Sequence, residues 1–188
     1  MSQVDQPGAI PMWVPDSFTF DYTDATFLVL HKTARFETAQ ECATYFQAGS
    51  AGLHVSSHYV VGQDGMIVQC VLESRGAGAN CCVEAGHAPF LPDTWGTSNN
   101  GNLHTISIEH IDPAEDNSTP VTSAQARASF QLIHDICVRH NIPMRPGDAQ
   151  GGIIGHMDIA PISRKRCPGN YPWTELWQFL GGANMGIS

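Results

Sequence analysis

The sequence predicts an α/β fold with a mixed central β-sheet flanked by helices. Strand-like and helix-like segments alternate along the chain, and two of the strand-like segments are joined by a tight turn. This mixture favours a sheet covered by helices. The chain has 188 residues, of which 42% are hydrophobic and 14% charged, a composition typical of one globular domain with a sizeable core.

Four segments carry the strand signal. FLVLHKTA, residues 27–34, is an apolar run with alternation superimposed on it, which predicts a buried strand. Residues 57–72 contain two strand-like runs joined by a turn at 63–65, the strongest hairpin signal in the chain. TISIEHI, residues 105–111, is rich in β-branched residues. IIGHMDI, residues 153–159, predicts a short strand or the end of one.

Three helices are predicted among these strands. Thr38 is expected to cap a short helix, with Glu41 completing a capping box. Ser123 is expected to cap a longer helix that ends at Asn141. A last helix begins near Pro172. The apolar stripe of the long helix consists of Phe130, Ile133, Ile136 and Cys137.

The chain divides into three parts by composition. Residues 1–24 are rich in Pro, Asp and Ser and predict an N-terminal arm with turns. Residues 25–180 form a single domain, and residues 181–188 are expected to be a tail or the stump of a linker. Within the domain, residues 73–104 lack periodicity, and such a long irregular segment is typical of the wall of a binding groove.

Charge and hydropathy exclude several functions. The formal net charge is −9 and no long basic run is present, so we expect no direct binding of nucleic acid. No apolar window approaches the length of a membrane span, so we expect no membrane insertion. The first residues have neither a cationic start nor an apolar core, so we expect synthesis in the cytoplasm without a signal peptide.

Most of the six cysteines are expected to be reduced thiols. Cys42, Cys70 and Cys137 occupy positions predicted to lie in the core. A disulfide between the adjacent Cys81 and Cys82 would be strained, so the sequence predicts none.

Two histidines and a cysteine form a candidate zinc site. His31 lies near the end of the first buried strand, His156 at the end of another strand-like run, and Cys167 closes the loop that follows it. Two imidazoles and a thiolate leave a fourth position open for water, which suits a hydrolytic zinc rather than a structural one. Because the chain has nine histidines, this pattern alone is a weak signal.

Glu109 strengthens the pattern. Alternation places it on one face of the 105–111 strand, opposite Ile106 and Ile108. A glutamate there is either a general base that accepts a proton from water or an exposed residue of an edge strand, and the pattern leaves both open.

Four segments in this order resemble a known family: VLHKTA, SSHYVVGQDGMIVQ, TISIEH and GHMDIAPISRKRCPGNYPW. Together they resemble the zinc-dependent N-acetylmuramoyl-L-alanine amidases, type 2 amidase domains that share a fold with T7 lysozyme and the peptidoglycan recognition proteins. The resemblance covers residues 25–180, and the segment from GHMDIAP to CPG is its most specific part.

The resemblance implies hydrolysis of the amide between the lactyl group of N-acetylmuramic acid and L-alanine of the stem peptide. It implies that His31, His156 and Cys167 bind one catalytic zinc ion and that Glu109 is the catalytic glutamate. Lys165 matches a lysine that stabilises the charged tetrahedral oxygen.

The chain also departs from the family. The interval between GHMDIAP and CPG is one residue longer than in the recycling amidases, so Arg164 is the alternative to Lys165. Ser57 stands where T7-type members carry a tyrosine, so no catalytic role is transferred to Tyr59. The segment that forms part of the groove in many family members is matched here only by residues 75–80. Substrate-binding residues are therefore not assigned.

Two further residues have open interpretations. His110 follows the glutamate and is expected to lie near a ligand or at the surface without binding metal. Asp158 either pairs with the second ring nitrogen of a zinc-bound histidine or caps a turn.

The expected protein is a monomeric, wall-degrading amidase of the endolysin type, with antimicrobial action on peptidoglycan after its release from the cytoplasm. A cytosolic amidase that recycles muropeptides and a non-catalytic peptidoglycan-binding module are the alternatives.

Overall fold

The computed structural model describes residues 3–21, 24–49 and 54–183. Its strands are β1 (Ile10–Pro11), β2 (Thr19–Asp21), β3 (Phe27–Lys32), β4 (Tyr59–Val61), β5 (Ile67–Gln69), β6 (Arg75–Ala77), β7 (Thr105–His110) and β8 (Gly152–Gly155). Its helices are α1 (Ala39–Ala48), α2 (Ser123–His140), the single turn α3 (His156–Ile159) and α4 (Trp173–Ala183). Two short 3-10 helices cover Asp16–Phe18 and Gly101–Leu103.

Six of the strands form one mixed sheet in the order β1-β5-β4-β7-β3-β8. The hairpin β4–β5 is antiparallel, and the other neighbours in this sheet pair in parallel. The strands β2 and β6 form a separate antiparallel ribbon. The predicted mixed sheet and its hairpin are therefore confirmed.

The strand β3 is buried along its whole length and pairs in parallel with both β7 and β8. Leu28 and Leu30 pack in a core with side chains of α2 and α4. Phe27 and Val29 point to the opposite face and pack with residues 88–95. Alternation places His31 on this second face. The carboxyl ends of β3, β7 and β8 consequently meet at one edge of the sheet.

Capping residues define the ends of the helices. Thr38 caps α1 by accepting a hydrogen bond from the Glu41 backbone N–H at 3.2 Å, as predicted. The prediction that Ser123 caps α2 is wrong. Thr122 is the cap, because its backbone is still extended and its hydroxyl accepts from the Gln125 N–H at 3.1 Å, whereas Ser123 is already helical. Asn141 ends α2 in a left-handed conformation.

The apolar stripe predicted for α2 is buried as expected. No described helix is both long and apolar enough to span a membrane.

The described part of the N-terminal arm contributes to the sheet. β1 lies beside β5 at one edge, and the Met12 N–H donates to the carbonyl of Gln69 at 2.9 Å. The predicted tail, residues 181–188, begins inside α4, which continues to Ala183. The remainder of that tail, residues 184–188, lies outside the described residues.

The cysteines follow the prediction with one exception. The four at positions 42, 70, 137 and 167 are free and buried. Cys81 and Cys82 form a disulfide, so the prediction that these neighbours stay reduced is wrong. Both residues are exposed and lie on the irregular segment between β6 and β7, where regular strand or helix geometry does not hold the two side chains apart.

Candidate metal centre and active site

His31, His156 and Cys167 converge as predicted. Their ligand atoms all lie within 4.8 Å of one another. β3 and β8 are parallel neighbours, so His31 near the end of one and His156 directly after the other reach the same edge. The two imidazole centroids are 4.3 Å apart. The Lys32 backbone N–H points to the Cys167 sulfur at 3.4 Å and helps to fix that side chain.

Burial sets the protonation of the three groups. It lowers the pKa of His31 well below its usual value, and the neighbouring His156 lowers it further. Burial and the charge of Arg164 lower the pKa of His156 to about 4. Burial and the charge of Glu109 raise the pKa of Cys167 to about 12. Both imidazoles are thus neutral, the form that binds a metal, whereas the thiol must lose its proton to become a ligand.

Glu109 faces this group from the adjacent strand. The β3–β7 register places it directly beside His31, with 3.9 Å between Glu109 Oε1 and His31 Nδ1. Its Oε2 atom is buried and has no hydrogen-bond partner. Burial raises the pKa of this carboxyl to about 8, opposed by the charge of Arg164. Since β7 is an interior strand, the alternative of an exposed edge glutamate is excluded.

A cavity of about 670 Å³ opens over these residues. One rim consists of residues 115–117 and the other of residues 163–167. Gly78 and Ala79 line a further wall, so part of the irregular segment 73–104 does border the predicted groove.

Sequence reasoning missed Phe46 and Val55, which also line this cavity. Their apolar character marks them only as core residues, and no motif distinguishes them. A second cavity of about 300 Å³ shares these two residues and contains Arg35. The Arg35 guanidinium carbon lies 4.9 Å and 4.6 Å from the ring centres of Phe36 and Tyr45.

The three cations of the rim formed by residues 163–167 differ in their contacts and in their electrostatic effects. The charge of Arg164 acts on all three candidate ligands and on Glu109. Lys165 lines the same cavity with an exposed side chain. Arg166 faces Asp116 on the opposite rim at 3.6 Å. The catalytic assignment of Lys165 therefore stays a prediction, with Arg164 as a strong competitor.

Residues 21–170 match the protein family described as Amidase_2, N-acetylmuramoyl-L-alanine amidase. The chain belongs to this amidase family. The match spans most of the chain, and it confirms the resemblance seen in the four sequence segments. No curated protein matches the sequence significantly.

Several solved structures share the fold of this amidase. PlyL is 18% identical with a TM-score of 0.65, covering 92% of this chain and 96% of that one. A selenomethionine derivative of AmpD is 21% identical with a TM-score of 0.65, covering 95% and 99%. The endolysin amidase LysCS from Clostridium intestinale is 19% identical with a TM-score of 0.58, covering 100% of both chains. These similarities confirm the predicted fold.

A buried ion pair secures the loops of the amidase around the centre. Lys32 Nζ lies 2.8 Å from Asp112 Oδ2 and 2.7 Å from Asn170 Oδ1. Lys32 thereby connects the end of β3 to the loop after β7 and to the loop that carries Cys167. Such a pair fixes geometry, because removing either partner would leave a buried charge without compensation.

His110 lies beside a candidate ligand, one of its two predicted locations. Its Nδ1 is 2.8 Å from the backbone carbonyl of His31 and its Nε2 is 2.7 Å from Ser129 Oγ. It is fully buried, so the surface alternative is wrong. Asp158 caps a turn by accepting the Gly155 N–H at 2.8 Å. The Tyr59 hydroxyl donates to Glu73 at 2.6 Å, outside the group of candidate ligands.

Proposed function

We propose that this amidase is a zinc enzyme that hydrolyses the bond between N-acetylmuramic acid and L-alanine in intact peptidoglycan. One observation carries the proposal: two neutral imidazoles, one thiol and a carboxyl with one unpaired buried oxygen meet at a single cavity. Three nitrogen and sulfur ligands without a fourth protein ligand are the donor set of catalytic zinc.

The residues present fit that ion. His31, His156 and Cys167 would hold it, and their soft donor set favours zinc over magnesium or calcium. When bound, zinc acts as a Lewis acid that polarises the scissile carbonyl and lowers the pKa of a water molecule. The partnerless Glu109 Oε2 supports the same conclusion, because a buried carboxyl without a partner is costly unless it serves the reaction.

Glu109 moves the proton in the proposed reaction. Its carboxylate accepts a proton from the attacking water, whose oxygen forms the new bond to the lactyl carbonyl carbon. The same carboxyl then delivers that proton to the nitrogen of L-alanine as the amide C–N bond breaks. The products are a free lactyl carboxyl group and a free amine on the stem peptide.

A cation of the 163–167 rim faces the negative charge that develops on the carbonyl oxygen. Arg164 is supported by its electrostatic effect on the four groups of the site, and Lys165 by the family motif. Removing one preorganised contact of this type costs about 2.7–4 kcal/mol of transition-state stabilisation.

We place the action of the enzyme at the cell wall, as in an endolysin, after synthesis in the cytoplasm and as a monomer. The similarity in fold to the endolysin amidase LysCS supports this placement. Recycling of soluble muropeptides and binding without hydrolysis are the competing functions.

Parallel assays on purified sacculi and on soluble muramoyl-peptides test the proposal. We expect one zinc per chain and release of free L-alanine amino termini from sacculi, with Glu109→Ala retaining zinc but not turnover. Turnover of soluble substrates alone would establish the recycling function. Bound zinc without any new amine would reject the amidase mechanism.

A further inference from the structure

Two buried polar atoms beside the metal centre lack a hydrogen-bond partner, Nε2 of His31 and Oδ1 of Asn80. The two residues are only 2% and 1% exposed. His31 Nδ1 lies on the cavity side, 3.9 Å from Glu109 Oε1, so Nε2 at the far side of the ring points into the protein. A buried polar atom left without a partner is costly.

The orientation of the Asn80 amide is fixed by its other contacts. Its Nδ2 donates to Thr105 Oγ1 at 3.0 Å. The Thr105 hydroxyl donates its own proton to the carbonyl of Gly101 at 3.0 Å, so it can only accept from Asn80. The backbone N–H of Asn80 is held by Asn102 Oδ1. The amide therefore presents its oxygen, an acceptor, as the free atom.

The Asn80 side chain lies close enough to the His31 ring to form a hydrogen bond with it. The partnerless amide oxygen and the partnerless ring nitrogen are thus complementary.

We propose that Asn80 is a positioning residue whose Oδ1 accepts the Nε2–H of His31 and thereby leaves the Nδ1 lone pair directed at the metal site. This inference rests on the proposed zinc centre and extends it. A ligand histidine whose second ring nitrogen is held by an acceptor keeps one tautomer and one ring orientation. The irregular segment 73–104 then supplies a partner for a ligand as well as a cavity wall.

This assignment replaces the partner considered from the sequence. Asp158 lies close to His156 in the chain, but its carboxylate is engaged by the Gly155 backbone N–H. For His31 the acceptor comes from a residue 49 positions away in sequence, brought near by the contacts of β6 and β7 with the Gly101–Leu103 turn.

Zinc affinity measured by competition with a chromophoric chelator tests the inference. Asn80→Ala should bind zinc about 10-fold to 100-fold more weakly than wild type. Asn80→Asp keeps an acceptor for His31, although it loses the donor to Thr105, and should bind zinc more tightly than Asn80→Ala. Asn99→Ala, a control on the same segment whose side chain contacts His104, should not change the affinity. A folded Asn80→Ala that binds zinc as tightly as wild type would overturn the proposal.

A second measurement needs no variant. Long-range ¹H–¹⁵N spectra of the zinc-loaded wild type should show His31 protonated at Nε2 and metal-bound at Nδ1. Protonation at Nδ1 would reject the role of Asn80 even if Asn80→Ala failed to fold. A wild type that binds no zinc would instead reject the proposed metal centre, so the two failures are distinguishable.

Discussion

Two glutamates of this amidase, the buried Glu73 and the partly buried Glu109, have opposite surroundings. Glu73 receives hydrogen bonds from Tyr59, from two nitrogens of Arg139 and from His140. Burial would raise its pKa, but the bonds from His140, Arg139 and Tyr59 outweigh burial and lower it to about 2. Glu109 has one oxygen without any partner, and burial raises its pKa to about 8.

The difference separates a structural carboxylate from a reactive one. At Glu73 the hydrogen bonds from His140, Arg139 and Tyr59 outweigh burial and favour the charged form, so the group stays ionised and holds the sheet and α2 together. At Glu109 no contact competes for the proton. A carboxyl with one oxygen free to take up and release a proton is suited to general acid–base catalysis.

The largest effect is expected from exchanging the two glutamates for glutamine in turn. Glu109→Gln should lower kcat by about 10²–10⁴, because the proton acceptor is lost. It should leave zinc content and the urea midpoint intact, since no contact is broken. Glu73→Gln is the matched control and should destabilise the fold without changing kcat of the folded enzyme. Normal turnover of Glu109→Gln would show that Glu109 is not the catalytic glutamate.

We expect the cation near Glu109 to affect catalysis and the cation near Glu73 to affect stability. Arg164→Ala is expected to lower kcat by about 10²–10³ with little change in stability, because its side chain is exposed and acts through charge. Arg139→Ala should lower the unfolding free energy and spare kcat. Lys165→Ala is the direct competitor, and a larger loss of kcat than for Arg164→Ala would establish the lysine assignment made from the family motif.

Lowering the pH should remove the contribution of Glu73 to the unfolding free energy. The folded-state pKa is depressed from 4.5 to about 2, so its contribution is complete above the unfolded value and is lost as pH falls through the folded one. The shift corresponds to about 3 kcal/mol. Urea titrations of wild type and Glu73→Gln should differ by this amount at pH 6 and converge near pH 2. A gap that persists at pH 2 would contradict the assignment.

The smallest expected effect concerns two buried thiols. Burial raises the pKa of both Cys137, on α2, and Cys167 to about 12. Only Cys167 must release its proton to bind zinc, so zinc affinity should rise about tenfold per pH unit in the neutral range on account of this thiol.

Calorimetry in buffers of different ionisation enthalpy measures that release. Cys137→Ser should release the same number of protons as wild type, and Cys167→Ser should release one fewer and bind more weakly. Equal proton release by wild type and Cys167→Ser would remove Cys167 from the ligand set.

The sequence predicted the elements whose periodicity is strong. β3, β7 and the stripe of α2 follow from alternation or helical spacing over six or more residues, and the hairpin follows from its turn signal. The convergence of His31, Glu109 and His156 follows from the same source, because parallel strands in register end at one edge.

The remaining features depend on contacts distant in sequence. β1 and β6 have two and three residues, too few for any period, and exist because a partner strand is present. The role inferred for Asn80 depends on how an irregular segment folds back onto β7. The distinction between Arg164 and Lys165 depends on the path of one loop, which the spacing of a motif does not determine.

The two-residue strand β1 bears on whether the sheet can pair with the sheet of another molecule. β5 would otherwise present unpaired backbone groups, the usual starting point for strand-by-strand polymerisation. β1 covers that row and cannot serve as the next template itself, because it is short and Pro11 has no N–H to offer. The family match begins at residue 21, so a chain shortened to that boundary would keep every proposed zinc ligand and leave the outer edge of β5 uncovered.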